Sequence, residues 1–485
     1  MKRAGLIILL ITTLGLKAQP PQKFHLRWGG DGIDIGYSVI QTLDRQYLVV
    51  GSTSSYGAGN TDIYMAKIDS MGIMLWSKTL GGFSNDVGRE VVQFTADSSF
   101  VIGGFTNSYG NGGYDAIIIK TDKYGNQQWL RTWGGTDWDF GYDIIQTGDG
   151  GVVICGSTIS FGKGKYDGFV AKYDPAGNFV WQKFYGGAED DEFRGLTTKN
   201  GNEIYAAGIT KSYGEINGDM LMFKMNSSGD SLMRIIYGGT LYDVCNDVAI
   251  NKNDEIILGG GSNSYSQGME DALVVKFTPS GNYVIRQRYG EVNDDEEISR
   301  VIPSNSSFGE EVIIYSENQN LGTKRDFLTL AVDQNLDFIT GGQNGSFGYS
   351  EDDEPQDIYP TKDNGYVQIG WTKSLGAVDK DFFFVKRDSM MRYGVIAGVE
   401  ELKSERKNIA CFPNPAKDKI YFDYKSQNNV FLIKIFDISG QLAGEKKIQA
   451  GSGQYAVDVS DLGAGIYIVE LADGEQKFYF KLTKL

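Results

Sequence analysis

Runs of alternating apolar and polar residues, each closed by a turn, recur in groups of four along most of this chain. One group is Asp139-Phe-Gly-Tyr-Asp-Ile-Ile-Gln-Thr147, Gly151-Val-Val-Ile-Cys-Gly156, Asp167-Gly-Phe-Val-Ala-Lys-Tyr173 and Asn178-Phe-Val-Trp-Gln-Lys-Phe-Tyr185. Period-two alternation over such lengths predicts strands. Gly148-Asp149-Gly150 and Asp174-Pro175-Ala176-Gly177 separate them, the second with Pro and Gly where a type I turn prefers them. Each group therefore predicts a four-stranded antiparallel meander. Runs such as Ala116-Ile-Ile-Ile119 are apolar on both faces, which requires neighbouring sheets on both sides.

The groups repeat seven times. Trp28-Gly29-Gly30, Leu80-Gly81-Gly82, Trp133-Gly134-Gly135, Tyr185-Gly186-Gly187 and Tyr237-Gly238-Gly239 mark the first five, and Tyr289-Gly290-Glu291 and Thr340-Gly341-Gly342 continue the series at intervals of 51 to 53 residues. A unit of this size with four strands predicts an all-β chain folded as a seven-bladed β-propeller over residues 19–394, with six or eight blades as the neighbouring alternatives. The seventh repeat lacks a good fourth strand after Asp381-Phe-Phe-Phe-Val-Lys386. Lys23-Phe-His-Leu-Arg-Trp28 resembles the fourth strands of other repeats, so residues 23–28 are expected to close the last blade.

The termini obey other rules. Lys2 and Arg3 precede an apolar run from Leu6 to Leu16, and Leu16-Lys17-Ala18 allows cleavage, which predicts a signal peptide over residues 1–18. That run is too short to span a membrane, and no later run is long enough, so no transmembrane span is expected in the mature chain. Residues 395–409 read as a charged linker. Beyond them come Lys419-Ile-Tyr-Phe-Asp-Tyr424, Val430-Phe-Leu-Ile-Lys-Ile-Phe436, Gly463-Ala-Gly-Ile-Tyr-Ile-Val-Glu470 and Lys477-Phe-Tyr-Phe-Lys-Leu482. These short strands predict a small Ig-like β-sandwich.

This tail, residues 410–485, resembles the type A C-terminal sorting domain of proteins exported by the type IX secretion system of certain Gram-negative bacteria. The resemblance rests on Phe412-Pro413-Asn414-Pro415, the Asp437-Ile-Ser-Gly440-Gln441 turn, the segment holding Gly465 and Tyr467, and the final strand from Lys477. It implies an address: the type IX machinery as partner, and a secreted or outer-membrane cell-surface location. Residues 23–393 are similar to a bacterial family of seven-bladed propeller repeats, through the Trp-Gly-Gly start, the Gly-x-Thr-x-Ser segment and the Asp-x-x-x-x-Lys strand. That family implies a fold and no settled chemistry.

The formal charge is −16, and removing residues 1–18 with their three cations takes it to about −19. So acidic a chain is a poor phosphate binder, which argues against nucleic acid. Three widely spaced cysteines, Cys155, Cys245 and Cys411, form neither a disulfide framework nor a metal knuckle. His25 is the only histidine, which argues against a Ser-His-Asp triad and a His-based zinc site.

Two Asp series recur. One stands six residues after the marker triplet begins (Asp34, Asp86, Asp139, Asp191, Asp243, Asp295), with Asp353 assigned to the seventh repeat after an insertion. The other opens each third strand (Asp62, Asp115, Asp167, Asp219, Asp271, Asp326, Asp381). Meander topology places both on one face. They are expected to pin loops and neighbouring blades, with a Ca²⁺ or other hard-cation site as the alternative. No cofactor is expected otherwise. The loops between second and third strands carry Tyr56, Tyr109, Tyr213 and Tyr265, which either pack between blades or stack on sugar or peptide. Acidic clusters Glu189–Glu192, Asp294–Glu297 and Glu351–Glu354 break the repeat symmetry near the same rim.

Together these features favour an exported, non-enzymatic binding or adhesion scaffold for a glycan or protein ligand. Its candidate ligand contacts are Asp191, Asp295, Asp353, Tyr56, Tyr109, Tyr213 and Tyr265. The alternative is a glycan hydrolase or lyase using paired carboxylates on the same rim.

Overall fold

The computed structural model of the chain describes residues 23–266, 270–290, 295–303, 311–318, 325–337, 339, 345–388, 411–412, 418–424, 430–437, 442–449, 453–463, 465–473 and 476–484. Residues 1–18 and 395–409, read above as signal and linker, lie outside them, as do Pro413, Asn414, Pro415, Gly440 and Gln441. The chain divides into two compact units, Met1–Ala397 and Gly398–Leu485.

The first unit is a seven-bladed propeller. Blades 1 to 6 are four-stranded antiparallel sheets whose strands run in chain order. Blade 3, for example, comprises Asp139–Gln146, Val152–Thr158, Asp167–Tyr173 and Phe179–Tyr185. Blade 7 takes Asp353–Pro360, Tyr366–Thr372 and Asp381–Arg387, and Phe24–Trp28 completes it. That closing strand pairs antiparallel with the third, Phe24 opposite Lys386 and Trp28 opposite Phe382.

Burial follows the blade geometry. Second and third strands are mostly buried on both faces, whereas fourth strands such as Met74–Leu80 alternate exposed and half-buried residues. The apolar core lies between blades. Blades 1 and 2 share Leu48, Val50, Ile63, Ile102 and Ile117. Blades 7 and 1 share Phe24, Val39, Val49, Ile369 and Phe384.

The Lys of the third-strand motif has a fixed job. Lys67, Lys120, Lys172 and Lys386 are buried, and each pairs with an Asp in the turn between the first two strands: Asp44, Asp97, Asp149 and Asp363. Burial opposes ionisation of Asp149, but bonds from Lys172 and Thr147 prevail and hold its pKa down at about 2.

Two details of the repeat need correction. In blade 7 the marker position belongs to Phe347-Gly348-Tyr349, because Phe347 pairs with the third strand as Tyr237 does in blade 4. Asp353 then stands six residues on, with no insertion between. Thr340-Gly341-Gly342 lies outside the described residues. In blade 6 one extra residue follows Tyr289, so Glu296, not Asp295, takes the repeat position. The Glu296 amide bonds the Glu270 carbonyl at 2.8 Å, as that of Asp243 bonds Gly218 at 2.9 Å.

In the second unit, Cys411–Phe412, Lys419–Tyr424 and Gly453–Asp458 form one sheet. Val430–Asp437, Leu442–Gln449, Gly465–Asp473 and Gln476–Lys484 form the other. Ile420, Ile433, Ile435, Val457, Val469, Leu471 and Leu482 make the core of this small sandwich.

Candidate ligand-binding channel

The first-strand acid, Asp in every blade but the sixth, stands in register with the third-strand Asp: Asp34 opposite Thr53, and Thr53 opposite Asp62. Both series therefore lie on one face, with the inter-blade links. Outside blade 6 the first-strand Asp is the centre of a knot. In blade 3, Thr158 Oγ1 donates to Asp139 Oδ1, while Ser160 Oγ and the Gly135 amide donate to Oδ2, both at 2.7 Å. This explains the Gly-x-Thr-x-Ser segment: its Thr and Ser supply the donors. The marker glycines allow close approach. Gly81 has φ 151°, and a Cβ there would overlap Asp62 and Asp86.

Deeper in the channel, every first strand carries a β-bulge. The residue after the bulge is Ser38, Glu90, Asp143, Gly195, Asp247, Arg300 or Asp357 in blades 1 to 7. Arg300 is the single cation of this ring. Its guanidinium reaches Glu90 across the axis, Asp357 at 2.9 Å, Asp247 at 3.3 Å and Asp143 at 3.6 Å. The acids also stitch blades together. Asp143 accepts from the Leu196 amide at 2.6 Å, Asp247 from Val301 at 2.8 Å and Asp357 from Val39 at 2.8 Å. Burial lifts the Glu90 pKa to about 8; Arg300 opposes the rise, while Asp357 and Asp143 add to it. Asp247 is lifted to about 6, again by burial against the pull of Arg300.

Above this ring opens a cavity of about 740 Å³. Its walls differ. Blades 1 to 3 contribute Tyr37, Arg89 and Tyr142. The Arg89 guanidinium lies 4.3 Å from the Tyr37 ring centre, and Phe140 stacks behind Tyr142 at 6.2 Å. Blades 4 to 7 contribute Glu192, Glu270, Asp295, Glu296, Glu297 and Glu354. Arg194 pairs with Glu192 and Arg325 with Glu354. Burial first, then Glu297 and Asp295, lift the Glu270 pKa to about 7. Among the described residues, Arg89 Nε, Asn263 Oδ1 and Glu270 Oε1 are buried polar atoms on these walls with no hydrogen-bond partner.

The candidate residues read from the sequence fall into separate places. Asp191 and Asp353 are fully buried in their knots, where burial lifts the Asp353 pKa to about 6. Asp295 lines the cavity. The hydroxyls of Tyr56, Tyr109, Tyr213 and Tyr265 donate to the carbonyls of Gly29, Gly81, Gly186 and Gly238, joining loop to inter-blade link. Of the acidic clusters, Glu192, Glu354 and residues 295–297 reach the cavity; Glu189 instead pairs with Lys165 at 2.7 Å. In the tail, the Tyr467 hydroxyl donates to the Gly463 carbonyl at 3.0 Å. Phe412, Gly465 and Lys477 lie on strands. Cys155 and Cys245 are buried free thiols. Among the described residues, no group of three or more His, Cys, Asp or Glu is placed to hold a metal ion. The ring around Arg300 went unread, although aligning the repeats on the residue four beyond the first-strand acid exposes it: one Arg in a column of Ser, Glu, Asp and Gly.

Known proteins resemble parts of this chain. The regulatory protein FlaEY of Caulobacter vibrioides is 26% identical over 276 residues, 50% of this chain, and the match spans only 27% of that relative's length. The propeller domain of the trilobed protease from Pyrococcus furiosus, described as having an open velcro topology, aligns over 72% of this chain and 93% of its own, at 7% identity and a TM-score of 0.41. Sqt1 from Chaetomium thermophilum aligns over 71% and 83%, at 10% identity and a TM-score of 0.40. Among the described residues no helix is long and apolar enough to cross a membrane. Residues 410–484 match the family described as the secretion system C-terminal sorting domain. The chain is therefore a β-propeller protein bearing the address of the type IX secretion system, which directs it to secretion and the cell surface.

Proposed function

We propose that the protein is an exported, non-enzymatic binding scaffold whose ligand enters the central cavity from the face that carries the inter-blade links. The observation that carries this is the set of unpartnered buried atoms, Arg89 Nε, Asn263 Oδ1 and Glu270 Oε1, around about 740 Å³ of space. Buried polar groups without partners are costly, and a ligand that pairs with them recovers that cost. Residues 1–18 serve as the export signal in this reading, and residues 410–485 engage the secretion machinery. The test is a glycan and protein binding screen of residues 19–485, repeated with Ser299→Trp, which fills the cavity from its wall. Binding that Ser299→Trp leaves intact would place the ligand elsewhere. Deleting 410–485 tests the address, with loss of surface delivery expected.

One observation favours the alternative, a glycan hydrolase or lyase. Glu270, lifted to about 7, faces the Asp295 and Glu297 carboxylates, a pairing that can supply acid and base near neutral pH. Turnover of any polysaccharide in a broad panel, abolished by Glu270→Gln, would establish it over simple binding.

A further inference from the structure

We propose that the cavity binds a lysine- or arginine-bearing segment of a partner protein, its cationic group seated against Glu270, Asp295 and Glu297 and its stem against Tyr142. This rests on the binding reading above and names the ligand class.

Charge balance is the first argument. Eight carboxylate side chains line the cavity against four arginines. The arginines are engaged: Arg300 by four acids, Arg194 by Glu192 and, at 3.9 Å, by Glu297, Arg325 by Glu354, and Arg89 over the Tyr37 ring. Glu270 and Asp295 make no ion pair among the described residues. Glu270 Oε1 and Asn263 Oδ1 are both acceptors without a donor, so what is missing there is a donor. An ammonium or guanidinium supplies several.

The opposite wall fits the same group. Arg89 already lies on Tyr37, so a cation on an aromatic face is an arrangement this wall makes with its own side chain. A Lys or Arg stem can pack on Tyr142 while its head reaches the acids.

The surroundings favour a protein segment over an amino sugar. Ile216 is 72% exposed and Leu241 50% exposed. Their loops are tied by Asn217 Nδ2 donating to the Thr240 carbonyl at 2.9 Å. Tyr242, next to Leu241, is close enough to Arg194, Glu297 and Glu270 to sense their charge. Two exposed apolar side chains therefore stand on tied loops beside the acidic corner, where the flanks of a basic segment can rest.

The experiment is calorimetric titration of residues 19–485 with blocked hexapeptides alternating Tyr with Lys, Gln or Glu, and with a glucosamine hexamer. The Lys peptide is expected to bind at least tenfold more tightly than the Gln and Glu peptides and to weaken as salt rises. Glu270→Gln and Glu270→Gln/Asp295→Asn, each checked for an unchanged melting temperature, are expected to weaken it at least tenfold. Equal binding of Lys and Gln peptides, tight binding of the glucosamine hexamer alone, or no binding by any probe overturns the proposal. Equal binding that Ser299→Trp still abolishes leaves the cavity as the site while rejecting the cation. Equal binding that survives Ser299→Trp rejects both.

Discussion

Arg300, in blade 6, meets Glu90, in blade 2, across the axis of the propeller, joining residues 210 apart in the chain. The contact spans the ring, so it ties the closed disc together in a way that no nearest-neighbour blade contact does. Four acids depend on this one cation. Removing one partner of a buried ion pair costs about 3–5 kcal/mol, because the remaining charges lose their compensation. Arg300→Met is therefore expected to lower stability by about that much at pH 8. The loss should shrink at pH 5, below the values of about 8 and about 6 to which Glu90 and Asp247 are lifted. Urea midpoints at the two pH values measure this. An equal loss at both would mean that Arg300 acts through packing alone.

Glu90 gives stability a second pH signature. Its pKa rises from 4.5 to about 8 on folding, so the native state binds the extra proton between those values. The associated stability is complete below pH 4.5 and is lost as pH climbs through 8. Asp247 behaves alike, from 3.8 to about 6. Asp149 has the opposite sign: its stability is present above 3.8 and fades as pH falls toward 2. Between pH 6 and 8 Glu90, with a limiting slope of about 1.4 kcal/mol per pH unit, acts in the same direction as Glu270, which burial lifts to about 7. Glu90→Gln keeps a carbonyl for Arg300 and an amide for Ser38, and cannot ionise. It is expected to flatten the pH dependence of the urea midpoint across that window. A variant as pH-sensitive as the parent would move the titration to another group.

Asp191 and Asp295 were interchangeable as members of one series in the sequence, yet their surroundings differ. Asp191 is fully buried, with the Gly187 amide and Thr210 hydroxyl on its oxygens. Asp295 faces the cavity. Asp191→Asn should cost about 1–3 kcal/mol of stability, since one acceptor becomes a donor in a site of donors. It should leave the affinity of the folded protein for the Lys peptide unchanged. Asp295→Asn should do the reverse, weakening binding with little change in melting temperature. Thermal melts and titrations of the two variants, side by side, decide the matter.

What the sequence carried and what it hid follow from where the information lies. The closing strand was legible because Phe24–Trp28 keeps the pattern of a fourth strand although its blade is completed more than 350 residues later. The Asp knots were legible as a series because every blade needs the same donors. The ring beneath the cavity was not, because it is built from differences between repeats at one position, Arg300 against Glu90 and Asp247, and the bulge that turns those residues inward leaves no mark in the alternation. The shift from Asp295 to Glu296 was hidden by one extra link residue, and two adjacent acids gave no clue to which of them held the knot.

Closure of the ring is itself testable. Phe24 is 3% exposed and stacks on Phe384 with ring centres 5.7 Å apart, within the core shared by blades 7 and 1. Trp28 stacks on Phe382 at 5.3 Å at the strand's other end. A large aromatic removed from a packed core costs about 3–5 kcal/mol. Phe24→Ala should fall in that range; Arg27→Ala strips the buried Asp381 carboxylate of its guanidinium and should cost about 1–3 kcal/mol. The more telling measurement is hydrogen exchange. If residues 24–28 complete blade 7, Phe24→Ala should raise exchange first in Phe382–Lys386, whose amides and carbonyls the strand covers, before blades 3 and 4 respond. Uniform exchange around the ring would mean that the disc opens only as a whole, with no weaker seam where its two ends meet.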